Sequence, residues 1–480
     1  MTELKMNRIK RIGLLSCFSV CMFCVGNAQE VEDDGNVEIN ASCRLQTLEG
    51  WGTSLCWWAA QVGLWDSKKV NEITNFIVSP DKLNMNIFRY NIGGGDDPSH
   101  IGGHMVKGKG KRAEMEGFKV SSTAPYNWNA DAAQRKILLM LKKKRKDAIF
   151  EAFSNSAPYW MTYSGCAAGN DDALKDNLKP EYYGQFCDYL IDVCKYYKQR
   201  FNVNFRTLEP FNESLSNYWH NQGTQEGCHF EPQSQINVIR LLYGKLRASG
   251  LRTEISASDE TSLSHTIKIQ HVYHDAGDIW NKLGQINTHT YSGSDAERSQ
   301  VHDLSVQAGK RLWQSETGPS GGKGLKSNLM LTQKMFDDLK IMQPVAWLDW
   351  QTMEESGDEW CVMNGNFKTH EFHLVKNFYV RMQITRFFKR GYTLVGCDAK
   401  NILVAVSPSK KECVIAILND SASEQSKTLH LVGFHGLHHV NVWRTSETED
   451  CKQLASTTVD KNLMICVAPA YSLTTFVISK

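Results

Sequence analysis

Phe205-Arg206-Thr207-Leu208-Glu209-Pro210-Phe211-Asn212 is a short β-rich run, and an amphipathic helical pattern from Pro232 to Ser249 follows it. Proline opens that helix in its first turn, where a missing N–H leaves no bond unmade. A strand followed by a helix is one βα unit. Outward from it the same alternation runs from about Leu48 to Phe388, the signature of a parallel sheet built from repeated units. The other strand candidates are Gly50–Ser54, Met85–Ile92, Ala148–Ser154, Thr253–Ser258, Gln285–Thr290, Arg311–Ser315 and Val345–Asp349. Further helical patterns lie at Pro180–Arg200, Ser327–Met342 and Glu371–Lys389. Eight strands is the count that closes a (β/α)8 barrel, so the expected fold class is α/β, a TIM barrel.

An open doubly wound sheet is the rival architecture. It would place a glycine-rich phosphate turn before a helix N-terminus, but Gly93-Gly94-Gly95-Asp96-Asp97 leads into a long irregular segment reaching about Asn127. A loop of that length suits the wall of a binding cleft. After Arg390 the texture changes to short alternating strands at Asn401–Val406, Glu412–Leu418, Thr428–Val432, Val440–Arg444 and Ser472–Ile478. These predict a small antiparallel β-sandwich appended to the barrel, and Asn36–Leu48 has the same texture. The expected division is a signal peptide at 1–28, an N-terminal contribution to the sandwich at 29–48, the barrel at 49–389 and the sandwich at 390–480.

The leader reading rests on Lys5, Arg8, Lys10 and Arg11, an apolar run from Ile12 to Val25, and the small residues Gly26-Asn27-Ala28. The run is too short for a spanning helix of about 20 residues, so a secreted or periplasmic protein is expected, with no membrane span. Lipoprotein anchoring through Cys17 is the alternative, with almost no apolar run ahead of the cysteine. Three of the fourteen cysteines fall in the leader, and the remaining eleven are an odd, scattered set. They read mostly as small core residues, with one or two disulfides among them. A net charge of +2 on 480 residues gives no field to attract nucleic acid. Thirteen Trp and sixteen Tyr suit either a core or the stacking of sugar rings.

Active sites of such barrels lie at the C-terminal ends of the strands. Two ends carry a carboxylate among polar or aromatic neighbours. Strand four ends Leu208-Glu209-Pro210-Phe211-Asn212-Glu213, and strand seven ends Leu312-Trp313-Gln314-Ser315-Glu316-Thr317-Gly318. Glycosidic cleavage needs two carboxyl groups, one to protonate the leaving oxygen and one to attack the anomeric carbon or activate water. Glu209, a full turn deeper, reads as structural. Asp259 and Glu260 after strand five, and Glu354 and Glu355 after strand eight, read as cleft or surface residues.

Five pieces in order resemble glycoside hydrolase family 30: Glu49-Gly50-Trp51-Gly52-Thr53-Ser54, Phe88-Arg89-Tyr90-Asn91-Ile92-Gly93-Gly94, Ser154-Asn155-Ser156-Ala157-Pro158-Tyr159-Trp160-Met161, Asn212-Glu213 and Ser315-Glu316. The resemblance spans nearly the whole mature chain. It implies a retaining hydrolase with Glu213 as general acid/base and Glu316 as nucleophile. Asn212 would hold the sugar hydroxyl beside the reacting carbon, and Arg89 would hydrogen-bond the nucleophile. On that division Arg89 lowers the pKa of Glu316, while an apolar wall keeps Glu213 protonated. Ser214 stands where the family usually has proline, which alters the turn after the acid.

The resemblance also implies contacts to the nucleophile or sugar from His289 and Tyr291 after strand six, and a floor from Trp350 after strand eight. Asn155 lies in a matching piece. Trp57, Trp58, Trp160, Tyr218, Trp219 and Trp360 are further stacking candidates. The segment Tyr218–Phe230 is similar to the strand-four loop of endo-β-1,6-galactanases in the family, as is Gly50–Trp58. Within it Glu226 either binds a sugar hydroxyl or caps the following helix. No metal site is expected: His435, His438 and His439 cluster far from the barrel mouth without acidic or cysteine companions. Lys107-Gly108-Lys109-Gly110-Lys111-Arg112 reads as a solvated loop, and Lys142–Arg145 as a helix end complemented by cations.

The expected activity is therefore endo-acting cleavage of β-1,6-galactan by double displacement, by a monomer without cofactor, whose partner is a polysaccharide or oligosaccharide. A β-1,6-glucanase or exo-β-glycosidase of the same family is the near alternative. A non-catalytic carbohydrate-binding barrel is the distant one, opposed by the presence of both carboxylates with Asn212 and Arg89.

Overall fold

Parallel strands closed into a barrel are covered on both faces, so every side chain on them meets either the axis or the surrounding helices. In the computed structural model Gly50–Ser54 and Ile87–Asn91 are buried at all positions, as that arrangement requires. These two join Ile149–Phe153, Phe205–Glu209, Glu254–Ser262, Leu283–Ser292, Arg311–Glu316 and Ala346–Gln351 in a closed eight-stranded parallel barrel, the last strand pairing with the first. All eight expected strands are present, with ends that differ by a few residues. The structure describes residues 35–97, 115–221 and 223–480, of which 36–480 form one compact unit. The leader at 1–28 and the basic loop at 107–112 lie outside the described residues.

Between the strands the helices sit where the apolar periodicity puts them. Pro232–Ser249 has the expected bounds, and Tyr183–Phe201 follows a 3-10 turn at Pro180–Tyr182. Two helices differ from expectation. Gly324–Asp337 ends in a π-helical turn at Asp338–Met342, which turns the Asp338 carboxylate to Arg298, Thr290 and Trp347. The helix expected from Glu371 begins only at Lys376. Glu371–Leu374 alternates polar and apolar residues with a period of two and is a strand, antiparallel to Met363–Asn366.

The sandwich is made of two sheets. One has the order Asn36–Asn40, Gln425–Val432, Leu463–Ala468, its first pair parallel. The other holds Arg44–Thr47 against Thr393–Val395, then Ile402–Val406, Glu412–Asn419, Ser472–Ser479 and His439–Thr445. Both N-terminal strands thus pair with C-terminal ones. The eleven described cysteines are all free, most of them buried, so the expected disulfides do not form. None of the described helices is long and apolar enough to cross a membrane.

Along the barrel axis the packing is polar, where such interiors are usually filled by branched apolar side chains. Near the bottom Arg206 grips Glu49 with two bonds of 3.0 Å and lies over Trp313. Above it the fully buried Glu151 accepts from Arg89, Thr207, Ser256, Gln285 and Asn287 at 2.6–3.2 Å. Five donors satisfy the oxygens of a side chain that burial has taken out of water.

Candidate active site

The C-terminal ends of strands four and seven bring Glu213 and Glu316 to the mouth of the barrel, beside a pocket of about 270 Å³. One carboxylate oxygen from each, with a ring nitrogen of His289, lie within 4.8 Å of one another. Glu213 has a left-handed backbone, φ 51°, stabilised by its N–H donating to the Asp259 carbonyl at 2.8 Å. A non-glycine residue held there costs of order 1 kcal/mol and persists only where the surroundings fix it.

Each carboxylate has its own donors. Glu213 accepts from His289 Nδ1 at 3.1 Å and from the Tyr218 hydroxyl at 2.5 Å. Glu316 accepts from the Tyr291 hydroxyl at 2.9 Å and, more loosely, from Arg89 Nη1 at 3.3 Å. Arg89 is fully buried over the Phe153 ring and divides itself among Glu151, Asp259 and Glu316. Asp259 pairs with Arg89 and accepts from Ser315 Oγ at 2.5 Å. It is neither a cleft nor a surface residue, as its sequence position suggested, but a buried anion below the site.

The electrostatics reverse the expected order of the two acids. Burial pushes Glu316 up to about 7, because His289 and a shared Arg89 only partly offset it and the Glu213 charge adds to it. Burial also acts on Glu213, but the hydrogen bond and charge of His289, with the Tyr218 hydroxyl, outweigh it and hold that carboxyl below its ordinary value. His289 itself is pushed up to about 10: burial opposes the cation, but the Glu316, Asp259 and Glu213 carboxylates prevail. The sequence argument failed because it gave Arg89 to one carboxylate, whereas it serves three. As a protonated donor between two carboxylates, His289 makes the Glu213–His289–Glu316 cluster one that can share protons.

Most of the expected sugar-contacting residues come together. Asn155, Asn212, Trp219, Glu226, Tyr291 and Trp350 line the pocket with the two glutamates. The Asn212 side-chain oxygen is buried without a hydrogen-bond partner, as suits a group awaiting a ligand hydroxyl. Glu226 caps no helix: it accepts from Asn91 Nδ2 and the Gly94 N–H, both at 2.9 Å, while still bordering the pocket. Trp219 donates its indole N–H to the Glu213 carbonyl at 2.9 Å.

Two expected contacts are displaced. Trp58 is fully buried and donates to the Ser54 carbonyl at 2.9 Å, so it belongs to the core. Its neighbour Trp57 borders the pocket instead, edge-on to Trp350 at 5.7 Å. Trp160 donates to the Lys119 carbonyl and packs against Tyr182, away from the pocket lining. The described end of the long loop after strand two places Met115 with Cys56, Trp57 and Phe153, behind that wall. Gln225, Thr261 and the exposed Trp360 also line the pocket. Tyr218 was foreseen as a stacking platform; its bond to the acid carried no signal in the sequence.

The chain matches the model of O-glycosyl hydrolase family 30 over residues 34–307. It is 32% identical over 408 residues to an endo-β-1,6-galactanase of Hypocrea rufa, covering 82% of each chain. An exo-β-1,6-galactobiohydrolase of Bifidobacterium longum subsp. longum is 24% identical over 69% of this chain and 28% of that protein. The solved catalytic domain of xylanase C from Talaromyces cellulolyticus superposes with a TM-score of 0.70 at 16% identity, covering 93% of this chain and all of that one.

Proposed function

Since this chain belongs to O-glycosyl hydrolase family 30, and is a glycoside hydrolase, we propose that it is a retaining endo-β-1,6-galactanase with Glu316 as nucleophile and Glu213 as acid/base. The observation that carries the mechanism is the separation of the two carboxylates, one oxygen of each within 4.8 Å of the other. Retaining enzymes hold their carboxyl groups about 5–5.5 Å apart, whereas inverting ones need roughly 6.5–9.5 Å to admit a water. Linkage and sugar rest on the galactanase relative and on the strand-four loop, which brings Tyr218, Trp219, Gln225 and Glu226 to the pocket.

In the first step a Glu316 oxygen bonds the anomeric carbon while the glycosidic bond breaks, and Glu213 gives its proton to the leaving oxygen. In the second, Glu213 takes a proton from water, whose oxygen attacks the same carbon and releases Glu316. The pair must then hold one proton between them. Below about pH 7 they do so, with the proton on Glu316. Substrate favours its transfer: a sugar at the mouth dries Glu213, and an electrophilic carbon above Glu316 favours the anion. Trp350 and Trp57 form the floor and Asn212 awaits a sugar hydroxyl.

The enzyme acts as a secreted monomer after loss of residues 1–28. The barrel at 49–389 performs the chemistry, and 29–48 joins 390–480 in the sandwich. The test is reducing-sugar release from β-1,6-galactan, with β-1,6-glucan and xylan alongside. Glu316→Ala should be inactive on every substrate, while Glu213→Ala should hydrolyse an activated aryl galactoside and be accelerated by azide. Preference for glucan or xylan would overturn the substrate, and equal loss in both variants without azide rescue would overturn the roles.

A further inference from the structure

We infer that Asp259 is a positioning residue for this chemistry: it holds His289 against Glu213, keeps one arm of Arg89 away from Glu316, and so decides where positive charge meets the two catalytic carboxylates. Asp259 is fully buried and is not among the residues lining the pocket, so it acts only through others. It touches four strand ends at once. Its carboxylate pairs with Arg89 Nη2 from strand two and accepts from Ser315 Oγ beside the nucleophile at 2.5 Å. Its carbonyl accepts the Glu213 N–H at 2.8 Å. Its Oδ1 faces His289 Nε2 at 3.5 Å, an ion-pair distance.

The last contact is an ion pair without a hydrogen bond, and its charge favours the direction the imidazole takes. With Nε2 toward Asp259, Nδ1 turns to the acid pair, 3.1 Å from Glu213 Oε1 and 3.6 Å from Glu316 Oε1. A single ring nitrogen therefore reaches both carboxylates. His289 can give its Nδ1 proton to Glu213 and take the Glu316 proton in return, which moves one proton from nucleophile to acid with the ring unchanged. The groups facing His289 are the carboxylates of Glu213, Glu316 and Asp259, the Tyr291 ring, and the buried Glu260 behind the acid. Arg89 lies beyond Asp259. The Asp259 backbone is left-handed, φ 52°, like that of Glu213, and the bond between these two residues ties the unit together.

The test is Asp259→Asn in the full chain, which removes the charge at constant shape. Asp259 helps to raise both His289 and Glu316, so its loss lets each give up its proton at lower pH. The basic limb of the kcat/KM profile on an aryl galactoside, where the pair loses its one proton from Glu316, should move down by about one pH unit, the scale for one charge at 4–6 Å. With nitrogen-15 histidine, the His289 imidazolium should titrate lower by a similar amount. A variant that loses rate with both curves in place would show a merely structural role and overturn the inference. Should the variant fail to fold, the wild-type spectrum decides: both His289 nitrogens must stay protonated from about pH 6 to about pH 9, and a neutral ring at pH 7 overturns it. The kinetic arm rests on the retaining-hydrolase reading; the histidine titration does not, so inactivity on galactosides would sink that reading alone.

Discussion

Gly227 is the residue through which the strand-four loop holds the acid in place, and replacing it with alanine tests that directly. A Cβ at 227 would fall 2.0 Å from Trp219 Cε3 and 2.2 Å from Cδ2. Carbon atoms pack at about 3.5 Å or more, so the indole must retreat by roughly 1.5 Å. The residue cannot shift as a whole, because Gly169 packs directly against the Trp219 backbone. Overpacking of this kind costs about 1–3 kcal/mol of stability. Any retreat also breaks the indole bond to the Glu213 carbonyl and shifts Tyr218, whose ring lies 4.6 Å away and whose hydroxyl holds Glu213. Misplacing an acid by about 1 Å can cost of order a hundredfold, so kcat/KM on β-1,6-galactan should fall by about 10- to 100-fold, or about 1.4–2.7 kcal/mol. Gly244→Ala is the control: nothing lies within 4 Å of its Cβ, and it sits exposed in the Pro232–Ser249 helix. There alanine should stabilise by up to about 1 kcal/mol and leave the kinetics alone. Thermal unfolding and steady-state rates on both variants decide the matter. Gly227→Ala with wild-type melting and rates would refute the claim that this glycine fixes Trp219 and, through it, the acid.

Trp350→Ala should lower kcat by at least about tenfold, roughly 1.4 kcal/mol of barrier, since an oriented floor matters most at the transition state. Trp443→Ala, which removes a ring packed on Phe387 at 4.6 Å, should lower the melting temperature and leave the rate per folded molecule unchanged; the reverse pattern would misplace the floor. Tyr218→Phe removes a donor that holds the Glu213 carboxyl down. Glu213 should then take up the second, inactivating proton at higher pH, moving the acidic limb of kcat/KM upward, and an unmoved limb would show that Tyr218 does not reach Glu213 in solution.

How much of this could be read from the chain depends on whether the cause was local. The barrel was legible because strand and helix periodicity repeat within each βα unit. Glu213 and Glu316 were legible because a strand end is a place that sequence can locate. Trp57 and Trp58 were not separable: adjacent residues point to different sides, and which side meets the pocket depends on Phe153, Met115 and Trp350 from other strands and loops. Glu371–Leu374 was lost to the helix that follows it, although its own period of two was present. Asp259 was visible as a carboxylate after strand five, but nothing near it in sequence tells that Arg89, Ser315 and His289 converge there.

That convergence also explains why the expected order of the two acids failed. A catalytic charge at the mouth of a barrel cannot be placed alone, because each buried ion needs a partner and each partner needs its own. Here Glu316 calls for Arg89, Arg89 is held by Glu151 and Asp259, and Glu151 draws Thr207, Ser256, Gln285 and Asn287 to the axis. The polar residues that interrupt otherwise apolar strands are therefore the lower storeys of the active site and not defects of the core. An account of Glu316 that stops at its nearest cation gives the wrong sign, since the cation is already committed below. Replacing a member of this column far from the pocket should consequently alter how the catalytic carboxylates titrate before it alters what the pocket binds.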